Sequence, residues 1–145
     1  MTVGLTEREC WMLTNLCAIR CLNLRNKNTI SDNIWDVNYI CVLSEYAWSK
    51  KFNLHYNLTS HIENDSSDFR SGDTTYDIKS TRRKDGNLLV NPNKLNSNIY
   101  VLAIVTERHI QFIGWKQREE LYHFTVGNHK MFGCEKNQLN SWQEH

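Results

Sequence analysis

Asp68, Asp77 and Lys79 are the side chains in this sequence whose types and spacing could do chemistry together. Between the two aspartates lies Gly72-Asp73, a Gly-X pair suited to a two-residue hairpin turn. With the turn placed there, residues whose numbers sum to 145 face each other, and Asp68 lies directly opposite Asp77. Directly opposed side chains in an antiparallel pair have Cβ atoms about 4.5–5.5 Å apart. Lys79, two residues on from Asp77, shares its face, whereas Phe69, Tyr76, Ile78 and Ser80 point to the other, where the core is expected. Opposed carboxylates destabilise a sheet unless they share a proton or a cation. Oxygen ligands at this spacing suit Mg²⁺, with Mn²⁺ as its substitute, and a lysine beside a metal-bound water can orient it or hold a phosphate. That is the inventory for metal-assisted hydrolysis of a phosphodiester. The alternative is an exposed hairpin with an Asp–Lys pair of no consequence.

Glu45 adds weight to the chemical reading. It is the only Asp, Glu, Lys, Arg or His between Val37 and Trp48, in a segment apolar nearly all round. A buried carboxylate must be protonated, paired or metal-bound. The competing expectation is a helix-edge Glu paired with Lys50 or Lys51. Downstream, Arg82-Arg83-Lys84 extend the strand of Lys79 into a basic run fit for phosphate contacts, or into a solvated turn beside Asp85-Gly86. Lys94, in an Asn-rich loop, is a further candidate phosphate contact. Arg20 is expected at a helix edge, reaching solvent, and Glu107 is read as a turn carboxylate. The six histidines show no i, i+4 pair for zinc.

Helices and strands must position these groups. Thr6-Glu7-Arg8-Glu9 is a capping box, and Cys10, Leu13, Leu16/Cys17, Cys21 and Leu24 recur at helical period, so a helix is predicted over 6–24. Ser31-Asp32-Asn33 offer caps for a second, buried helix over 34–52, with Val37, Ile40, Cys41, Ala47 and Trp48 on one face. A short strand is expected near Leu54-His55-Tyr56, then the hairpin, then a strand at Leu88-Leu89-Val90. Ile99 to Val105 reads as a strand buried on both faces, with His109 to Trp115 its neighbour across a three-residue turn. Gln117 to Leu121 is a helical turn, and the last twenty or so residues are mixed. The fold class is α/β or α+β: N-terminal helices packed on a central mixed β-sheet, in one domain over 1–145.

Composition bounds the function. Seventeen Lys+Arg against sixteen Asp+Glu exclude a protein that coats nucleic acid non-specifically, so any basic role is local. No apolar run approaches the ~18–20 residues of a membrane span. The start lacks a secretory signal's apolar core. Five cysteines, with no Cys-x-x-Cys pair, are expected to be reduced and buried in the core. The expected location is cytoplasmic, without a membrane partner.

Glu45 on a helix, then Asp68, then Asp77-Ile78-Lys79, resembles the Glu…Asp…(Asp/Glu)-x-Lys signature of the PD-(D/E)xK nuclease superfamily. Tyr76-Asp77-Ile78-Lys79-Ser80-Thr81-Arg82 is similar to the strand of its small phage and bacterial members, which points to a viral or bacterial origin. The later strand pair ending in Ile113-Gly114-Trp115, with a short helix through Glu119-Glu120-Leu121, is similar too. The resemblance spans roughly residues 5 to 122, and Ser67 stands where many members carry Pro. It implies a restriction-endonuclease-like core and a Mg²⁺-dependent deoxyribonuclease, an endonuclease acting on DNA. Glu45, Asp68 and Asp77, with the Ile78 carbonyl, would hold the metal, and Lys79 would assist the water. Arg82, Arg83, Lys84 and Lys94 would contact nucleic acid. Two alternatives stay open. One is a structure-selective, resolvase-type endonuclease, which requires a homodimer that the sequence does not signal. The other is a catalytically silent module on the same fold that grips DNA or a protein.

Overall fold

The computed structural model describes residues 1–24, 33–56 and 67–142. The first helix, α1 (Glu7–Leu24), starts at the expected capping box: the Thr6 amide donates to Glu9 Oε2 at 2.9 Å and the Glu9 amide to Thr6 Oγ1 at 3.1 Å. The second, α2 (Ile34–Phe52), is capped by the Asn33 side chain, which accepts from the Asp36 amide, and ends at Asn53 in a left-handed conformation. Ser31 and Asp32, the other expected caps, lie outside the described residues.

The helices pack on one face of a mixed five-stranded sheet, order β1-β6-β5-β3-β2. Its strands are β1 (Thr2–Gly4), β2 (Phe69–Ser71), β3 (Thr74–Thr81), β5 (Ile99–Thr106) and β6 (His109–Gln117). Strand β5 runs parallel to β3 and antiparallel to β6. Parallel neighbours need a long crossover. Here it holds β4 (Leu88–Val90) and a short 3₁₀ turn at Pro92–Lys94.

Strand β5 is buried on both faces, as predicted, because each face has its own core. Val101, Ala103 and Val105 meet the helices through Leu43, Ala47 and Trp48. Tyr100 and Leu102 point the other way, into a second core with Leu88, Val90, Leu121 and Cys134. This core is closed by a three-stranded sheet, order β4-β8-β7, in which β7 (Tyr122–Val126) and β8 (His129–Cys134) form a hairpin from the tail expected to be mixed.

Four expectations are corrected. The turn between β5 and β6 is two residues, made possible by Glu107 at φ 51°. Leu54 to Tyr56 form no strand: the Leu54 amide closes the end of α2 on the Ser49 carbonyl, and Tyr56 turns inward. Helix α2 is buried only through its middle, since Val37 is 49% exposed near its start. The described cysteines are free, as expected, but Cys10, Cys21 and Cys41 are only partly buried. No helix among the described residues is long and apolar enough to cross a membrane.

The second sheet is held where β4 and β8 approach at Gly133, because a Cβ there would run into the Leu88 carbonyl oxygen. Gly133→Ala is expected to cost about 1–3 kcal/mol, the range for overpacking a closed core. Urea unfolding measures it, and an unchanged midpoint would show that β4 and β8 can move apart without penalty.

Candidate functional site

The hairpin forms in the register the sequence implied. Phe69 faces Tyr76, Arg70 faces Thr75 and Ser71 faces Thr74, with Gly72 taking the positive φ of 59° that the turn needs. The ladder does not extend to Asp68 and Asp77, but their carboxyls come within hydrogen-bonding reach of each other. Pairing between β2 and β3 stops at Tyr76, and there the Asp68 side chain takes over from the ladder. The Asp68 amide donates to the Tyr76 carbonyl at 3.0 Å, and Asp68 Oδ2 accepts from the Ile78 amide at 2.7 Å. A residue's N–H and C=O point to the same side of a strand, so the Ile78 carbonyl also faces this open edge.

Asp77 and Lys79 alternate with the core-facing Ile78, as expected, but their face is not an open surface. It is roofed by the second core, beside Tyr100 and Leu102, and Asp77 is only 5% exposed. Lys79 Nζ lies 2.6 Å from Asp77 Oδ2. Burial acts to lower the ammonium's pKa, but the charges of Asp77 and Asp68 outweigh it, and Lys79 is held above its ordinary value. Lys79 is therefore a fixed cation in the metal-free protein.

Asp68 is exposed at the rim as a residue, yet its carboxyl is the part crowded by protein. Burial, then the charges of Glu45 and Asp77, then a hydrogen bond with Asp77 push its pKa well above the ordinary aspartate range. The Asp68 carboxyl is thus pressed against a second carboxyl, an arrangement that favours its neutral form or a bound cation. The donor set fits a hard divalent cation: Asp68 and Asp77 supply carboxylate oxygens and Ile78 a peptide oxygen, and Mg²⁺ commonly takes one or two carboxylates and keeps several waters.

Glu45 reaches the same edge from the helix side. It pairs with neither Lys50 nor Lys51. Glu45 Oε2 accepts from the Tyr56 hydroxyl at 2.9 Å and lies 3.5 Å from Arg20 Nη1. Burial raises its pKa, with Arg20 and Tyr56 pulling against that shift. Arg20, expected to reach solvent, instead points inward, its guanidinium 5.8 Å from the centre of the Tyr56 ring. Among the described residues no three His, Cys, Asp or Glu side chains converge as a metal cage.

The basic run divides. Arg82 is clamped by Asp36 at the start of α2, with contacts of 2.6–2.9 Å. The Arg83 side chain is in an exposed pair with Asp85 at 3.3 Å. Lys84 is exposed and its carbonyl accepts from Lys136 Nζ at 2.6 Å. Lys94 is exposed on the 3₁₀ turn, its carbonyl accepting from the buried Tyr100 hydroxyl at 3.0 Å. Sequence reasoning missed Tyr56 and the β7 residues Phe124 and Val126, which wall a cavity beside Lys79. Nothing local marks them. For Arg20 the signal was its place beside the Cys17/Cys21 stripe on α1, which packs on α2.

An acid whose folded pKa is raised binds more protons folded than unfolded, so stability falls as pH rises from the ordinary aspartate range through the raised value. Asp68→Asn keeps an acceptor for the Ile78 amide and removes the charge. In EDTA it is expected to melt a few degrees above wild type at pH 7.5, with the gain shrinking towards pH 4. Melting below wild type at pH 7.5 would show that the carboxylate is needed for packing. Comparison of the chain with protein-family models, curated proteins and solved structures finds no match, so the functional reading rests on this geometry and on the motif residues.

Proposed function

We propose that this protein is a metal-dependent nuclease that hydrolyses DNA phosphodiester bonds with water as nucleophile. The observation that carries the reading is the Asp68–Asp77 pair at the open edge of β3, with the Lys79 ammonium 2.6 Å from Asp77. Asp68, Asp77 and the Ile78 carbonyl would hold the cation. When bound, a divalent metal supplies Lewis-acid polarisation of the phosphate and a water of lowered pKa. Lys79, kept charged by its aspartate neighbours, would donate N–H groups to an attacking water and offset the negative charge that builds on the phosphate oxygens. A lysine held as an ammonium has no lone pair, so it serves as an electrostatic group and not as the base. Glu45, held by Arg20 and Tyr56, adds a negative charge behind the pair from α2 and would join the metal's ligands only by leaving those partners. Arg83, Lys84 and Lys94 supply exposed cations for backbone phosphates.

A second reading is a catalytically silent module that binds DNA. It is favoured by one observation, the engagement of Glu45 by Arg20 and Tyr56. The two separate in one assay. With Mg²⁺ or Mn²⁺ the purified protein is expected to cleave plasmid or oligonucleotide DNA. Asp77→Ala and Lys79→Ala should each lose about 100-fold or more of that activity, the scale for removing a preorganised electrostatic group. Mg²⁺ should also raise the melting temperature of wild type and leave that of Asp68→Asn unchanged. Cleavage that survives EDTA and both substitutions would sink the mechanism, whereas DNA binding without cleavage would select the silent module.

A further inference from the structure

Beside Lys79 a cavity of about 420 Å³ opens between the C-terminal half of β3 and the strand β7. Lys79, Arg83 and Asp85 line it from β3 and the turn after it, Phe124 and Val126 from β7, with Leu89 and Leu102 also lining it. Its two sides differ in chemistry: one charged, with two cations and one carboxylate, the other aromatic and aliphatic.

Strand β7 lies at the edge of the small sheet, and Tyr122, Phe124 and Val126 share one of its faces. The Tyr122 and Phe124 rings are 5.8 Å apart and tilted by 33°. Tyr122 is pinned by its hydroxyl, which donates to Gln138 Oε1 at 2.9 Å and accepts from the Glu135 amide at 3.1 Å. Phe124 contributes to neither core and is only partly covered, and Val126 is 43% exposed. Among the described residues the Arg83 guanidinium is paired with Asp85 in an exposed contact, and such pairs contribute little, so it can exchange to a phosphate at small cost.

We propose that this cleft binds one unpaired nucleic-acid strand, with a base against Phe124 and a phosphate at Arg83, so that single-stranded or frayed DNA is preferred over intact duplex. The proposal deepens the nuclease reading and rests on it for the place of the scissile phosphate at Lys79. The volume is on the scale of sites that take a small molecule, roughly 300–1,000 Å³, which suits a nucleotide of a single strand. A base in a duplex is covered on both faces by its neighbours and offers no free face to an aromatic ring. An unpaired base does, and aromatic stacking is tolerant of sequence.

The test is fluorescence anisotropy in EDTA, using the whole chain and a labelled dT oligonucleotide, alone and annealed to its dA complement. The single strand is expected to bind more tightly than the duplex. Phe124→Leu should weaken single-strand binding about tenfold, while Phe124→Trp retains it, as stacking requires. Arg83→Ala should weaken it too and reduce the slope of log affinity against log salt by about 0.7, one phosphate contact to a single strand. Duplex bound as tightly as single strand, no binding of either, or full binding by Phe124→Leu would overturn the proposal. Binding that depends on Phe124 without any cleavage in Mg²⁺ would leave it standing and remove the nuclease reading. Cleavage in Mg²⁺ with Phe124→Leu binding as wild type would do the reverse.

Discussion

Two carboxyls held opposite each other across a hairpin repel unless a proton or a cation stands between them, and the architecture around β3 is arranged about that pair. Asp77 is buried beneath the small sheet, so water does little to screen it. Asp68 is fixed by the Ile78 amide and pressed by Glu45 from the other side. Lys79 supplies the nearest compensating charge. Each group raises the cost of removing another, which makes the site a local concentration of electrostatic stress within an otherwise apolar two-core fold.

The open edge of β3 lets the two layers communicate. A sheet edge is usually a liability that proteins cover or blunt. Here β2 covers only three residue pairs, and a side chain, Asp68, takes the next backbone amide. Glu45 arrives over this edge from the helices, while Asp77 and Lys79 face the small sheet. A longer β2 would have closed the ladder and separated the two sides. The cavity bounded by Lys79 and Phe124 lies along the same uncovered stretch.

Much of this was legible because it depends on neighbours in the chain. The capping box at Thr6, the Asn33 cap, the Gly72-Asp73 turn and the alternation along β3 are local, and each appeared where its residues required. The double burial of Ile99 to Val105 was readable from its unbroken apolar run. The hairpin over β7 and β8 was not, since its exposed, mixed residues lack alternation strong enough to mark strands. Arg20 was misplaced for a related reason: its partner Glu45 is distant in sequence and the packing of α1 on α2 brings them together, while Tyr56 meets Glu45 because the chain folds back after α2 instead of forming a strand.

By itself the sequence determined the register of the hairpin as far as Phe69 and Tyr76, and the alternation that puts Asp77 and Lys79 on one face, because a two-residue turn aligns the strands it joins. The tertiary structure alone decided what surrounds that face. The roof over Asp77, the hold of Arg20 and Tyr56 on Glu45, the loss of Arg82 to Asp36 and the aromatic wall at Phe124 all come from segments far apart in the chain. Their meeting depends on how two cores close on opposite sides of one sheet, which no local pattern encodes.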